Sequence, residues 1–196
     1  MSAPEHLAPG HLAAAHGPRY DVAVGAPEAS GAPGGGWLAA DRLLTPDSPE
    51  LTRLLDAETA ASGHRTAHAA ALTLIAVYAG RVTAAAVLDW ALSGRVWDVR
   101  PHNVLVLPAA HGIGGVRLRR ARLLEPARTA LHGAVLHTHL LPLAEALHAR
   151  TRAGLRQLRG GVAHGCATAL CASRADPGTL ADRWAEFCAG AGDVGR

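Results

Sequence analysis

Thr129–Ser173, TALHGAVLHTHLLPLAEALHARTRAGLRQLRGGVAHGCATALCAS, is the stretch on which the fold turns. Its apolar residues Leu140, Leu143, Leu147, Leu155, Leu158, Val162, Cys166, Ala169 and Leu170 recur at helical spacing. That periodicity predicts a stripe along one face of a long helix, or of two stacked helices. Between Leu158 and Leu170 the rest of the surface is unusual. Gly160, Gly161, His164, Thr168 and Cys171 fall near one another when spaced at three or four. Each mid-helix glycine costs about 1 kcal/mol relative to alanine, so such glycines stand where another helix or a ligand must approach the backbone. The spacing admits either.

Working outward, 196 residues suit one domain with a sizeable core. Hydrophobic residues make up 49% and charged residues 18%, as in a globular protein, but aromatics reach only 4%, so Leu, Ala and Val must fill the interior. Lysine is absent, which excludes lysine Schiff-base chemistry. A net charge of +3 is too small to argue for nucleic acid as a partner. Apolar runs are interrupted before membrane-spanning length and no signal segment opens the chain, so a cytoplasmic protein without membrane insertion is expected. Oligomeric state is not legible.

Residues 1–36, rich in Ala, Pro, Gly and His, read as a flexible segment, with an edge strand at Tyr20–Val24. His6, His11 and His16 recur at every fifth position, which does not align on a helix face and does not argue for a metal tail. Folded structure is expected over 37–190. Leu38 and Leu43 begin a helical segment that ends near Pro46; Asp47 or Ser48 then caps a helix with Pro49 in its first turn. A further helix, from near His64 to near Gly80, should bury Ala67, Ala71, Leu74, Ile75 and Tyr78, and a short one should end at Ser93-Gly94. His64 and His68, one turn apart, have the spacing of paired metal ligands but lack a third. From Asn103 to Leu124 the chain reads as an antiparallel hairpin, Val116 and Leu118 inward, Arg117 and Arg119 outward. With Arg120 and Arg122 these form a basic ribbon, either a solvated face or a surface that steers an anionic ligand. The fold class is mainly α: a helical bundle with one small antiparallel β-hairpin.

Two segments carry a resemblance. His139-Leu-Leu-Pro-Leu143, followed by an Arg-rich helix and Leu158-Arg-Gly-Gly-Val-Ala-His164, resembles the His-Leu-x-Pro-Leu and Leu-Trp-Gly-Asn-Val-Ala-Ser segments of the FhuF-like, siderophore-iron reductase family. Gly94-Arg-Val-Trp-Asp-Val-Arg-Pro-His-Asn103 resembles that family's Gly-Arg-Val-x-Asp-Leu-Arg-Pro-x-Asn. The resemblance runs from about Trp37 to Leu170 and implies the family's helical scaffold and a siderophore pocket. Arg159, Gly161 and His164 replace the family's Trp, Asn and Ser, which implies a kept scaffold with an altered site. The family's two adjacent cysteine pairs, which hold a two-iron, two-sulfur cluster, are missing; the chain has Cys166, Cys171 and Cys188, with Cys166 on the apolar stripe. No cofactor, metal or iron–sulfur cluster is therefore expected.

The function expected on this scaffold is that of a cofactor-independent enzyme of specialised, natural-product metabolism acting on a small molecule. His164, with His139 or His137, would supply acid–base chemistry in the former siderophore pocket. Gly160, Gly161, Arg159, Thr168, Arg117 and Arg119 would bind the ligand. Pro142 should kink the preceding helix and open space for one of the two histidines, which lie about 200° apart on a helix and cannot both face the same cavity. The alternatives are a non-catalytic siderophore or metal-chelate binding protein, and a siderophore-iron reductase with a rearranged Cys/His site.

Overall fold

Two stacked helices carry the stripe in the computed structural model, which describes residues 11–27, 36–109 and 112–191. They are α6 (Leu141–Thr151) and α7 (Leu155–Cys171). The break falls at Arg152, whose φ of 60° lets the chain reverse and so ends α6. Leu140, Leu143, Leu147, Leu158, Val162, Cys166, Ala169 and Leu170 are all buried, and Leu155 packs partly against the same core.

The elements before the stripe run as follows. The first helix is α1 (His11–His16), followed by a 3-10 turn (Pro18–Tyr20) and β1 (Ala23–Val24). Next come β2 (Leu38–Ala39) and a second 3-10 turn (Ala40–Leu44). Helices α2 (Pro49–Ser62), α3 (Ala67–Val82) and α4 (Ala84–Ser93) complete this half. Ser48 caps α2 by accepting a hydrogen bond from the Leu51 amide, with Pro49 in the first turn as its fixed φ allows. Gly94, at φ 74°, closes α4 in the left-handed conformation. The segment from Leu38 is not the expected helix, because Leu38 and Ala39 pair with the sheet before the chain tightens into its 3-10 turn. Helix α3 starts at Ala67, later than expected, because Thr66 supplies its cap to the Ala69 amide. His64 thus precedes the helix, bonded to Thr73 Oγ1 at 2.9 Å, and forms no helical pair with His68. The break expected near Gly80 falls instead at Thr83, where α3 and α4 meet at 45°.

After α4 come β3 (Val96–Trp97), a 3-10 turn (Pro101–Asn103), β4 (Val104–Ala109), β5 (Gly112–Leu118) and β6 (Leu123–Leu124). The hairpin is β4–β5, and the sheet around it has the order β1-β5-β4-β2, with β1 parallel to β5 and the other pairs antiparallel. Residues 110 and 111 of its turn lie outside the described residues. Val116 and Leu118 face the core as expected and Arg119 is exposed. Arg117 is half-buried, its guanidinium over the Trp37 ring and its Nη1 donating to the Ala26 carbonyl at 3.0 Å. The hairpin stops short of Leu124: the Asp98 amide donates to the Arg122 carbonyl, and β6 pairs with β3.

The chain finishes with α5 (Arg128–His132), a π-helical stretch (Gly133–Leu140), then α6, α7 and α8 (Pro177–Gly190). Pro142 has no amide hydrogen for the i−4 ladder, and just before it the Leu141 amide reaches back five residues to the Leu136 carbonyl. The architecture is mainly helical with a small sheet. Leu12, Tyr20 and Val22, on the N-terminal side of the Trp37 boundary read from sequence, belong to the common core. His6 and most of the Gly-rich run before Trp37 lie outside the described residues. No single helix among the described residues is long and apolar enough to cross a membrane.

Candidate functional site

Helix α7 crosses α3 at backbone distance. A Cβ placed on Gly165 would lie 2.6 Å from the Ala76 carbonyl oxygen and from Ala79 Cβ, and 2.7 Å from the Gly80 nitrogen. One placed on Gly161 would meet Ile75 Cγ2 at 2.7 Å. These two glycines therefore serve helix packing. Gly160 has open space around its Cβ position and faces solvent.

Beside this crossing the helices part and leave a cleft of about 360 Å³. Ala76, Val77, Gly80 and Arg81 come from α3, His164 and Thr168 from α7, Ile113 from β5 and Arg19 from the first 3-10 turn. Tyr20 sets the position of Arg19: its ring is fully buried and its hydroxyl donates to the Ala169 carbonyl at 2.7 Å. Arg81 braces the same turn, its Nη1 donating to the Arg19 carbonyl at 2.7 Å and to that of Asp21 at 3.1 Å. Burial lowers the Arg81 pKa; Asp21 opposes that shift and the neighbouring Arg19 charge adds to it. Among the described residues, neither Arg19 nor Arg81 has a carboxylate within 4.0 Å. The exposed His164 and half-buried Thr168 stand on the opposite wall, and the Thr168 hydroxyl donates back to the His164 carbonyl at 2.8 Å. Among the described residues no carboxylate lines the cleft, and the apolar part of its wall is Ala76, Val77 and Ile113.

The other sequence-derived candidates are not gathered here. His139 is fully buried, on the far side of α3. Its Nδ1–H donates to the Val99 carbonyl at 2.7 Å, and its Nε2 accepts from the Tyr78 hydroxyl at 2.8 Å. A carbonyl can only accept, so that geometry selects the Nδ1–H tautomer. Burial lowers the His139 pKa to about 4, against a smaller upward push from the Val99 bond. A sealed imidazole with both nitrogens engaged cannot exchange protons with a ligand, so the catalytic role expected of His139 does not fit. His137 is exposed in the π-helical stretch and does not line the cleft. Arg159 is half-buried on α7 outside the cleft lining. Cys171 opens instead into an apolar groove against α8, with Leu180 and Trp184. Arg119 borders a separate hollow, and Arg117 is committed to Trp37. Cys166 is buried, and burial pushes its thiol up to about 12, so it is a core residue. Arg19 and Arg81 are the cleft residues with polar side chains that sequence reading missed.

No protein-family model matches the sequence, and no curated protein matches it significantly. Two solved structures of aerobactin synthetase IucA from a hypervirulent pathotype of Klebsiella pneumoniae are similar in fold. The ATP-bound structure has a TM-score of 0.58 at 17% identity, over 72% of this chain and 30% of the synthetase chain. A second structure has a TM-score of 0.55 at 16% identity, over 76% of this chain and 36% of the synthetase chain. The chain thus spans about a third of the length of the synthetase structures it matches. At this identity the likeness is one of fold.

Proposed function

We propose that the chain is a binding module of siderophore-related biosynthesis that receives an anionic small molecule, of the carboxylate or metal-chelate kind, in the α3–α7 cleft. The observation that carries this is the pair Arg19 and Arg81, held at the cleft by backbone contacts and, among the described residues, with no carboxylate within 4.0 Å. Guanidinium groups so placed present planar donors that match carboxylate oxygens. The apolar wall of Ala76, Val77 and Ile113 suits the carbon skeleton of such a ligand. The fold likeness to aerobactin synthetase, and the sequence resemblance to the FhuF-like family, support a siderophore context. Binding is favoured over acid–base turnover because, among the described residues that line the cleft, His164 has no carboxylate or second imidazole beside it to orient it. Calorimetric titration with citrate and with ferric aerobactin is the test. At least one should bind saturably, and Arg19→Gln or His164→Ala should weaken it about tenfold, the loss of one charge-assisted contact. Absence of binding by both probes, or unchanged affinity in both variants, would overturn the reading.

A further inference from the structure

A second cationic hollow lies at the opposite end of the hairpin, between β5 and β6. It encloses about 320 Å³ and is lined by Asp98, His102, Asn103, Arg119, Arg120 and Arg122. The segment carrying the arginines is pinned through its backbone. The Arg119 amide donates to the Asn103 carbonyl at 2.8 Å, and the Arg122 carbonyl accepts from the Asp98 amide at 2.9 Å. The buried Asn103 side chain takes both backbone polar groups of Arg120: Oδ1 accepts from its amide at 3.0 Å, and Nδ2 donates to its carbonyl at 3.1 Å. Nδ2 also donates to the Asp98 carbonyl at 2.7 Å, which locks the arginine segment onto the Asp98–Asn103 turn.

With the backbone turned inward, Arg119, Arg120 and Arg122 are exposed beside the exposed His102. The lone carboxylate of the hollow, Asp98, is already matched: its side chain is 2% exposed and bonded to Arg100 at 2.6 Å. None of the three arginines has a carboxylate within 4.0 Å among the described residues. Three cations on a rigid loop repel one another, and no ion pair among the described residues neutralises them.

From this geometry we infer that the hollow is an anion site for a triphosphate group, separate from the α3–α7 cleft. Three guanidinium groups and an imidazole donor match the charge and the many acceptor oxygens of a triphosphate better than those of a single carboxylate. Because the loop is prefixed, little ordering cost is left to binding.

The test is calorimetric titration of the full chain with inorganic triphosphate and, separately, with UTP. The comparison is between wild type, Arg119→Gln/Arg120→Gln/Arg122→Gln, and Arg65→Gln/Arg156→Gln/Arg174→Gln. The last removes equal charge from exposed positions elsewhere. Saturable binding of the wild type that falls about tenfold or more in the first triple variant and less than threefold in the second is expected. Equal affinity for the two probes would assign the phosphates alone as the ligand, while tighter UTP would add a nucleoside contact; either supports the site. Circular dichroism checks folding, and Arg122→Gln alone should give an intermediate loss. Three results would each overturn the inference: no saturable binding, equal losses in both triple variants, or a loss of citrate affinity in the first variant as large as that of triphosphate.

Discussion

His139 holds its place as a neutral imidazole, and the pH dependence of folding should show it. Its pKa falls from 6.5 to about 4 on folding, because burial penalises the charged form. The unfolded chain therefore binds a proton that the folded chain refuses between these values. The associated stability is fully present above pH 6.5 and is lost as pH falls toward 4, about 3 kcal/mol in all. His132, buried against Phe187 with its pKa also lowered by burial, works in the same direction. The paired change His139→Leu/Tyr78→Phe removes both partners of the buried bond and should flatten the acid limb of stability, measured by urea denaturation at pH 7 and pH 4.5. An unchanged limb would show that His132 carries the effect. The His-Leu-x-Pro-Leu spacing marked His139 as special but could not tell a ligand-facing histidine from a packing one. Its acceptor, Val99, and its donor, Tyr78, come from distant segments whose meeting only the tertiary structure supplies.

Between elements, the α3–α7 crossing separates glycines that look alike in sequence. Gly165→Val would push a branched side chain into backbone atoms of α3 and should cost about 2–4 kcal/mol. Gly160→Ala, with open space at its Cβ, should stabilise by about 0.5–1 kcal/mol through helix propensity alone. Thermal unfolding of the two variants would read the difference, and a destabilising Gly160→Ala would contradict the assignment. The helices were largely legible because their signals are local: the Ser48-Pro49 cap, the Gly94 stop and the stripe from Leu140 to Leu170. The adjacent pair Gly160-Gly161 drew the eye, whereas the set at four-residue spacing, Gly161, Gly165 and Ala169, is what aligns on one helix face. The segment from Leu38 misled because two strand residues and a 3-10 turn hold apolar side chains at intervals a helix would also use.

At the scale of the molecule, the N-terminal stretch is a strap across the bundle. A chain beginning at Gly36 would lose the buried Leu12, Tyr20 and Val22, each contributing about 1.5–3 kcal/mol by burial. It should unfold at markedly lower denaturant, and a midpoint equal to that of the full chain would overturn this account. The strap also supplies Arg19, which explains why sequence could not assemble the cleft: no local periodicity relates residue 19 to residue 164. Their proximity follows from Tyr20 reaching Ala169, 149 positions further along. That separation has a consequence for biosynthesis. A ribosome adding roughly 5–20 residues per second needs about 7–30 s to travel from one to the other. Throughout that interval Tyr20 has no carbonyl to hold and Arg19 no opposite wall to face. The cleft thus cannot form before α7 has been made, and a ligand seated there would report that translation has passed that helix.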